Sequence, residues 1–426
     1  VPIISHLESL IPAGLRPVVA GLAAYGVAEV GTRLLRILAI IVIARQIAPE
    51  QIGVAALAIA LFELVRVLAN SGIGLRIIAA SDAELPAICN AARRLFVLWC
   101  AAVALIQLAV AALLFAVFGM AEIAAMLVVM SGVYAFMPPG LVQVFLLMRE
   151  GRMAATARIA ASQTAADHVL SIILALFWPS AWAIVLPKLL TTPLWLVLVR
   201  RARHWSPVPG VAPAPFAEFR TFSLGVLGSE ILVAARTQLD KVIIGALLGT
   251  EALGLYFFAF NAGLGITTSF IAALGIVLFP HLCAASGQRE RRNRLLQAGA
   301  LSLAIFVPVI AAQMLFADWY VPLLFGAQWT TMAPLAAILC LGGVPAIFGS
   351  LLTAWLRANG KPQHDAAVSL VVSFAALASL TAGAGFGLEA AAWSFVAALW
   401  LTQIPAALAF VRMREPASPD AALKGA

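Results

Sequence analysis

Apolar runs of about 20 residues recur along all 426 positions of the chain, separated by short polar connectors. Each run is long enough to cross a bilayer as a helix, since a hydrocarbon core about 30 Å thick needs about 20 residues at 1.5 Å rise. The runs lie near 20–45, 53–78, 94–118, 121–148, 157–178 and 180–200, and, after a longer connector, near 222–248, 253–280, 295–317, 329–356, 365–386 and 388–411. That spacing leaves no room for a sizeable soluble domain. Hydrophobic residues make up 63% of the chain and charged ones 11%, against about a quarter charged in soluble domains, and mean hydropathy is +1.03. The sequence therefore predicts an all-α polytopic membrane bundle of about twelve transmembrane helices.

The connectors alternate in charge. One set carries arginines at 93 and 94, 149 and 152, 200 and 201, 289, 291, 292 and 294, 357, and 412 and 414; the other is short and holds chiefly Glu50, Glu122, Glu251, Asp318 and Glu389. The positive-inside rule places the basic set in the cytoplasm, which puts both termini inside and makes the span count even. The net charge of +8 is spread over every inner loop instead of forming one basic and aromatic surface, which excludes nucleic acid as a partner. Residues 3–16 read as a short amphipathic surface segment, and 415–426 as a cytoplasmic tail. The proline-rich stretch 206–220 reads as a linker between two six-helix halves, 1–205 and 221–414. Ala44–Ala60 aligns with Gly245–Asn261, superposing Glu50 on Glu251 and Gly53 on Gly254 in the same outer turn of each half. The halves are thus expected to be related by a parallel pseudo-two-fold axis along the membrane normal. Cys89, Cys100, Cys283 and Cys340 are far apart and show no metal-ligand spacing, so no metal site or disulfide framework is expected.

Charges inside the spans are the candidate functional groups, because a charge at mid-bilayer costs roughly 2.5 to 3.5 kcal/mol on insertion scales. In the first span Tyr25, Glu29, Thr32, Arg33 and Arg36 share one helical stripe. Glu29 and Arg33 stand four apart and could simply pair; no acidic residue stands three or four positions from Arg36. The second span holds Glu63, Arg66 and Asn70 within about 60° of one another. The fifth holds Asp167 and His168 after Ser162, Gln163 and Thr164; the sixth holds Lys188 beside Pro187; the seventh holds Glu230, Arg236, Thr237, Asp240 and Lys241, with Arg236 and Asp240 four apart. Two readings stand side by side: structural ion pairs that lock a bundle, or a shared hydrated cavity. In the cavity reading Arg33, Arg36, Arg66, Arg236 and Lys241 bind an anionic headgroup, while Glu29, Glu63, Asp167 and Asp240 pair with them or exchange a coupling ion. Pro138, Pro139 and Gly140 should break the fourth span and Pro187 should kink the sixth; Gly263, Gly265 and Gly275 could let the eighth pack closely.

No phosphate-binding loop, zinc-protease motif, nucleophile elbow or dinucleotide fingerprint occurs, so no cofactor and no enzymatic reaction are expected, and an energy source would be an H⁺, Na⁺ or substrate gradient.

Ala44–Ile78, ARQIAPEQIGVAALAIALFELVRVLANSGIGLRII, resembles the first-to-second helix region of the Wzx-like polysaccharide-biosynthesis oligosaccharide flippases. These belong to the multidrug/oligosaccharidyl-lipid/polysaccharide (MOP) exporter superfamily. Leu239–Phe260 resembles the start of their second half, Val321–Leu339 their Leu-Phe-Gly-x-x-Trp turn, and Leu356–Pro362 the following inner loop. The resemblance implies a V-shaped pair of six-helix halves that alternately opens inward and outward in the bacterial inner membrane. It implies a substrate of undecaprenyl-diphosphate-linked oligosaccharide repeat units for surface polysaccharide, a monomer, and a polysaccharide polymerase or chain-length regulator as partner. It transfers no catalytic motif. The alternatives are a multidrug or cation antiporter of the related MATE branch, for which an acid-dominated cavity is expected, and a membrane-embedded polymerase or glycosyltransferase.

Overall fold

The computed structural model describes the backbone of residues 16–69, 72–283 and 285–412, with the side chains at 16–30, 220–226, 228, 229, 236, 266, 268–270, 272, 273, 275–277, 280, 362, 411 and 412 left aside. Asn70, the tail 415–426 and all but the last residue of the segment 3–16 lie outside the described residues. Among the described residues there is helix and no strand.

The first helices are α1 (Arg16–Gln46), α2 (Pro49–Arg66, continued by a 3₁₀ turn Val67–Ala69), α3 (Ile73–Ala79), α4 (Leu85–Phe118), α5 (Ala121–Ser131), α6 (Val133–Phe136), α7 (Pro138–Arg149), α8 (Met153–Phe177), α9 (Trp182–Leu190) and α10 (Thr192–Ala202). Then follow α11 (217–248), α12 (250–283), α13 (Gln288–Leu315), α14 (Ala317–Phe325), α15 (Ala333–Cys340), α16 (Gly343–Ala358), α17 (Pro362–Ala384) and α18 (Leu388–Arg412), with a 3₁₀ turn Ala327–Met332 before α15. Among the described residues nine helices or continuous pairs are long and apolar enough to span a membrane, and the bent assembly of α5 to α7 makes a tenth. Helix α1 is 31 residues long and carries five charges, and 217–283 is broken into two helices of spanning length at Gly249. The chain is a multi-pass membrane protein.

The breaks have local causes. Gly249 sits at φ 87°, ψ 176°, a region open essentially to glycine alone, so the outer turn expected at 249–252 is a one-residue corner. Pro138 and Pro139 supply no backbone N–H, and the fourth span bends there by 55° as expected. The second span, expected as one helix over 53–78, is instead interrupted: it ends in the 3₁₀ turn and restarts as α3 from Gly72 at φ 71°. Gly72 takes a left-handed backbone state that ends a helix, and beyond it the Phe145 ring occupies the space a Cβ on Gly74 would take, so α3 seats closely on α7.

By internal packing the chain forms two compact units, 1–242 and 243–426. The boundary falls inside α11 and not in the proline-rich stretch 206–220, because that stretch is fastened to the first unit. Asn90 Nδ2 donates to the carbonyls of Val208 and Val211 (3.1 Å each), its Oδ1 accepts from Val208 N–H (3.1 Å), and Ala214 N–H donates to Ala87 O (3.1 Å). In this unit α1 lies along α8, α9 and α10 also pack on α8, and α4 lies along α5. Helix α4 buries Phe96, Cys100, Val103, Gln107 and Ala111 at helical spacing and exposes Leu98, Leu105 and Phe115 on the face suited to lipid. Buried Gln107 is satisfied across helices, donating to Leu127 O (2.7 Å) and accepting from Tyr134 OH (2.9 Å).

Arg149, at the end of α7, closes the cytoplasm-assigned side of this unit. Its guanidinium donates to the carbonyls of Ile78 (2.9 Å), Ile77 and Ala80 at the end of α3 and to Asp82 (2.7 Å). Those carbonyls have no helical N–H to accept from. Arg149→Ala is therefore expected to destabilise the unit by about 1–3 kcal/mol. Arg149→Lys should recover less than half of that, since an ammonium cannot fork over three carbonyls; thermal unfolding in detergent measures both. Nearby, the guanidinium of Arg76, with the Ser81 N–H, holds the Glu84 carboxyl below the usual carboxylate range.

In the second unit α17 lies along α18, and α16 packs on α18 and α13. Close approach is set by small residues, as is common where lipid offers no hydrophobic drive. A Cβ on Gly383 would stand 2.6 Å from Ala390 O, and one on Gly263 2.7 Å from Ala336 O; Gly265 has open space. The expected close packing of the eighth span is thus made at Gly263.

Candidate functional site

A cavity of about 520 Å³ lies within the first unit, between α2, the α6–α7 bend, α8, α9 and α10. Each wall is presented by a local rule. On α8, Ala160, Gln163, Thr164 and Asp167 fall at i, i+3, i+4 and i+7 and so make one stripe, with the small Ala160 leaving space. On α9 and α10, Pro187 and Pro193 interrupt the backbone ladder, and the hydroxyls of Thr191 and Thr192 bond the carbonyls of Pro187 and Lys188 (2.8 Å each). That break turns Lys188, Thr191, Thr192 and Trp195 to the same side. The α6–α7 bend contributes Val133 and Met137. Gly140 in α7 gives Trp195 its seat, since a Cβ there would stand 2.8 Å from the indole.

Two ion pairs line the cavity. Arg66 donates to Glu63 Oε2 through Nε (2.9 Å) and Nη2 (2.5 Å), and both side chains are partly open to the space. Lys188 Nζ donates to Asp167 Oδ2 at 2.5 Å, with only 10% of the Asp167 side chain exposed. Asp167 Oδ1 is buried and has no hydrogen-bond partner among the described residues. The charges on this wall balance, two acids against two bases.

The sequence-predicted residues separate into groups. Glu63, Arg66 and Asp167 come together in the cavity. Arg33 and Arg36 do not line it: they lie on α1, half-buried and exposed respectively, on the helix that packs along α8. Lys241 Nζ stands 3.1 Å from Asp240 Oδ1 and donates to Thr237 O (2.7 Å), away from this cavity. The side chains of Glu29 and Arg236 lie outside the described residues, and with them the expected Glu29–Arg33 and Arg236–Asp240 pairs. Sequence reasoning left Lys188 out of the site, although an intramembrane lysine beside a proline is a signal. It had no signal for Trp195, Thr191 or Thr192, which only the break between α9 and α10 brings to the cavity.

The polysaccharide biosynthesis protein family matches residues 42–334, more than half of the chain. The chain is 24% identical over 323 residues to the succinoglycan biosynthesis transport protein ExoT of Rhizobium meliloti, covering 74% of this chain and 63% of that one. It spans between 38% and 63% of the length of the curated relatives it matches. In fold it is similar to the lipid II flippase MurJ in an inward closed conformation (TM-score 0.72, 13% identity, 92% of this chain and 88% of that one). It is also similar to an outward-facing multidrug resistance MATE family transporter of the MOP superfamily (TM-score 0.61, 18% identity, 96% of each chain). Helical throughout its described residues, with these spans and that match, the chain has a MOP-type fold and belongs to the polysaccharide biosynthesis protein family.

Proposed function

We propose that this chain is a flippase that moves undecaprenyl-diphosphate-linked oligosaccharide repeat units from the inner to the outer leaflet of the bacterial cytoplasmic membrane, for surface polysaccharide. The observation that carries the reading is the polar cavity inside the first unit of a MOP-type fold, in a chain of the polysaccharide biosynthesis family. Four charged side chains at membrane depth are costly and are retained where they face a wet path. The movement is alternating access of two six-helix halves, both termini cytoplasmic, coupled to an H⁺ or Na⁺ gradient. Arg33 and Arg36 are the bases we assign to the diphosphate, with Arg236 and Lys241 as further cationic contacts, while Arg66 stays with Glu63 at the cavity wall and the prenyl chain stays in lipid. Glu29, Glu63, Asp167 and Asp240 serve as their pairing or ion-coupling carboxylates. A polymerase or chain-length regulator receives the product. A balanced cavity gives no electrostatic preference for cationic drugs, which sets the antiporter reading second.

The test is reconstitution into liposomes with undecaprenyl-diphosphate-linked oligosaccharide, scoring the fraction reaching the opposite leaflet with and without an imposed proton or sodium gradient. Transfer above that of protein-free liposomes, accelerated by one of the gradients, is expected. Arg33→Ala and Arg36→Ala should insert normally and transfer at least about tenfold more slowly, the equivalent of one lost charge-assisted contact. Absence of transfer under every gradient, or dye resistance with no glycolipid transfer, would overturn the reading.

A further inference from the structure

The cavity of the first unit is chemically unlike a diphosphate site. A diphosphate carries concentrated negative charge and is recognised by bases in excess of acids. Here each base is already matched: Arg66 by Glu63, Lys188 by Asp167. What the cavity offers beyond those pairs is neutral hydrogen-bonding capacity and aromatic surface. Gln163 and Thr164 stand one turn before Asp167 on the same stripe, and both keep surface open. Asp167 Oδ1 is a buried acceptor that receives no donor among the described residues, although an acceptor in such a place ordinarily finds one. Lys188 has donors beyond the one it gives to Asp167. Trp195 packs its back against Leu147, Ile159 and Val199 and presents the rest of its indole to the cavity, with Phe62 on another wall.

An O–H donor for a carboxylate, acceptors for an ammonium and an amide, and a flat C–H face for an indole are supplied together by one class of molecule, a pyranose ring. A volume of about 520 Å³ is within the range of sites that enclose small ligands. We propose that this cavity is a glycan subsite, which holds an uncharged or zwitterionic sugar residue of the translocated lipid through Asp167, Lys188, Gln163 and Trp195. The diphosphate is recognised elsewhere. This inference rests on the flippase reading and names the part of the substrate that the first unit takes.

The experiment compares two lipids on the full chain in nanodiscs. One is undecaprenyl diphosphate without sugar; the other is a panel of the same lipid carrying glucose, galactose or N-acetylglucosamine, and binding is read by titration. The wild type should bind at least one glycosylated lipid more tightly than the sugar-free one. The Gln163→Ala/Thr164→Ala double variant changes only partly or fully exposed side chains and should fold. It should weaken the glycosylated lipid by about tenfold and the sugar-free lipid by less than about twofold, as for hydrogen bonds made to the sugar alone. Trp195→Ala should show the same split, and Trp195→Phe should recover part of it. Equal loss for both lipids, no loss for either, or no preference of the wild type for sugar would overturn the subsite. Failure of the flippase reading is seen separately, as absence of leaflet transfer by the wild type in liposomes.

Discussion

Lys188→Ala is expected to lower the stability of the first unit by about 3 kcal/mol, the low end of the range for breaking one partner of a buried ion pair. The low end applies because the lysine side chain is 33% exposed to the cavity, whereas its aspartate is 10% exposed. Removing the amine leaves the Asp167 carboxylate with neither oxygen matched, since Oδ1 already lacks a partner among the described residues. The penalty is the stranded charge and not the lost attraction, and this gives the prediction its structure. Asp167→Asn/Lys188→Met, which removes both charges at similar volume, should be closer to wild type than Lys188→Ala. The exchange Asp167→Lys/Lys188→Asp should recover part of the loss. Thermal unfolding of the detergent-solubilised protein orders the three variants. If Lys188→Ala melts within about a degree of wild type, well under the shift of a 3 kcal/mol loss, the pair is not formed as described.

The second large effect lies in the other unit. Trp329 is fully buried, its ring centroid 4.5 Å from that of Phe258, which in turn meets Phe325 edge-on at 6.0 Å. The chain reaches this position through Gly326 at φ 106°, ψ 161°, a backbone state that a side chain would strain, so the turn and the indole are built as one piece. Trp329→Ala should cost about 3 kcal/mol, at the lower end for such truncations. The reason is that in a membrane the lost term is chiefly packing and the cavity left behind, not transfer from water. Loss of amide-exchange protection should be concentrated around Phe258 and α14 and should spare the first unit. Trp329→Phe, which keeps an aromatic contact to Phe258, should retain more than half of the stability. Uniform loss over both units would show that they do not unfold independently.

Much of this was legible beforehand. Span length depends on bilayer thickness and residue type alone, so the helices and most of their positions follow from apolar runs. The fourth-span bend follows from Pro138 and Pro139, which have no N–H to give. The Leu-Phe-Gly-x-x-Trp stretch carried the family resemblance, and its Gly326 and Trp329 turn out to be the turn and the plug of one aromatic cluster. The close seat of α3 on α7 was not legible, because Gly74 by itself does not announce that Phe145, 71 positions later, will occupy its face.

The candidate site divides in the same way. The sequence by itself determined which charges would have to be accommodated inside the membrane, because the cost of a bare charge there holds wherever the helix lies: Glu63, Arg66, Asp167 and Lys188 were all on that roster. It could not determine the partners. Glu63 and Arg66 are one helical turn apart and their pairing was within reach of periodicity, but Asp167 and Lys188 are 21 positions apart on different helices. Only the packing of α9 against α8, with the breaks at Pro187 and Thr191, brings the amine to the carboxylate and Trp195 to the same space. Periodicity alone could not show that these charges cancel or that Arg33 and Arg36 lie outside the cavity lining. Helical periodicity fixes a residue's angle on its own helix, while the neighbour at that angle is set by how helices pack.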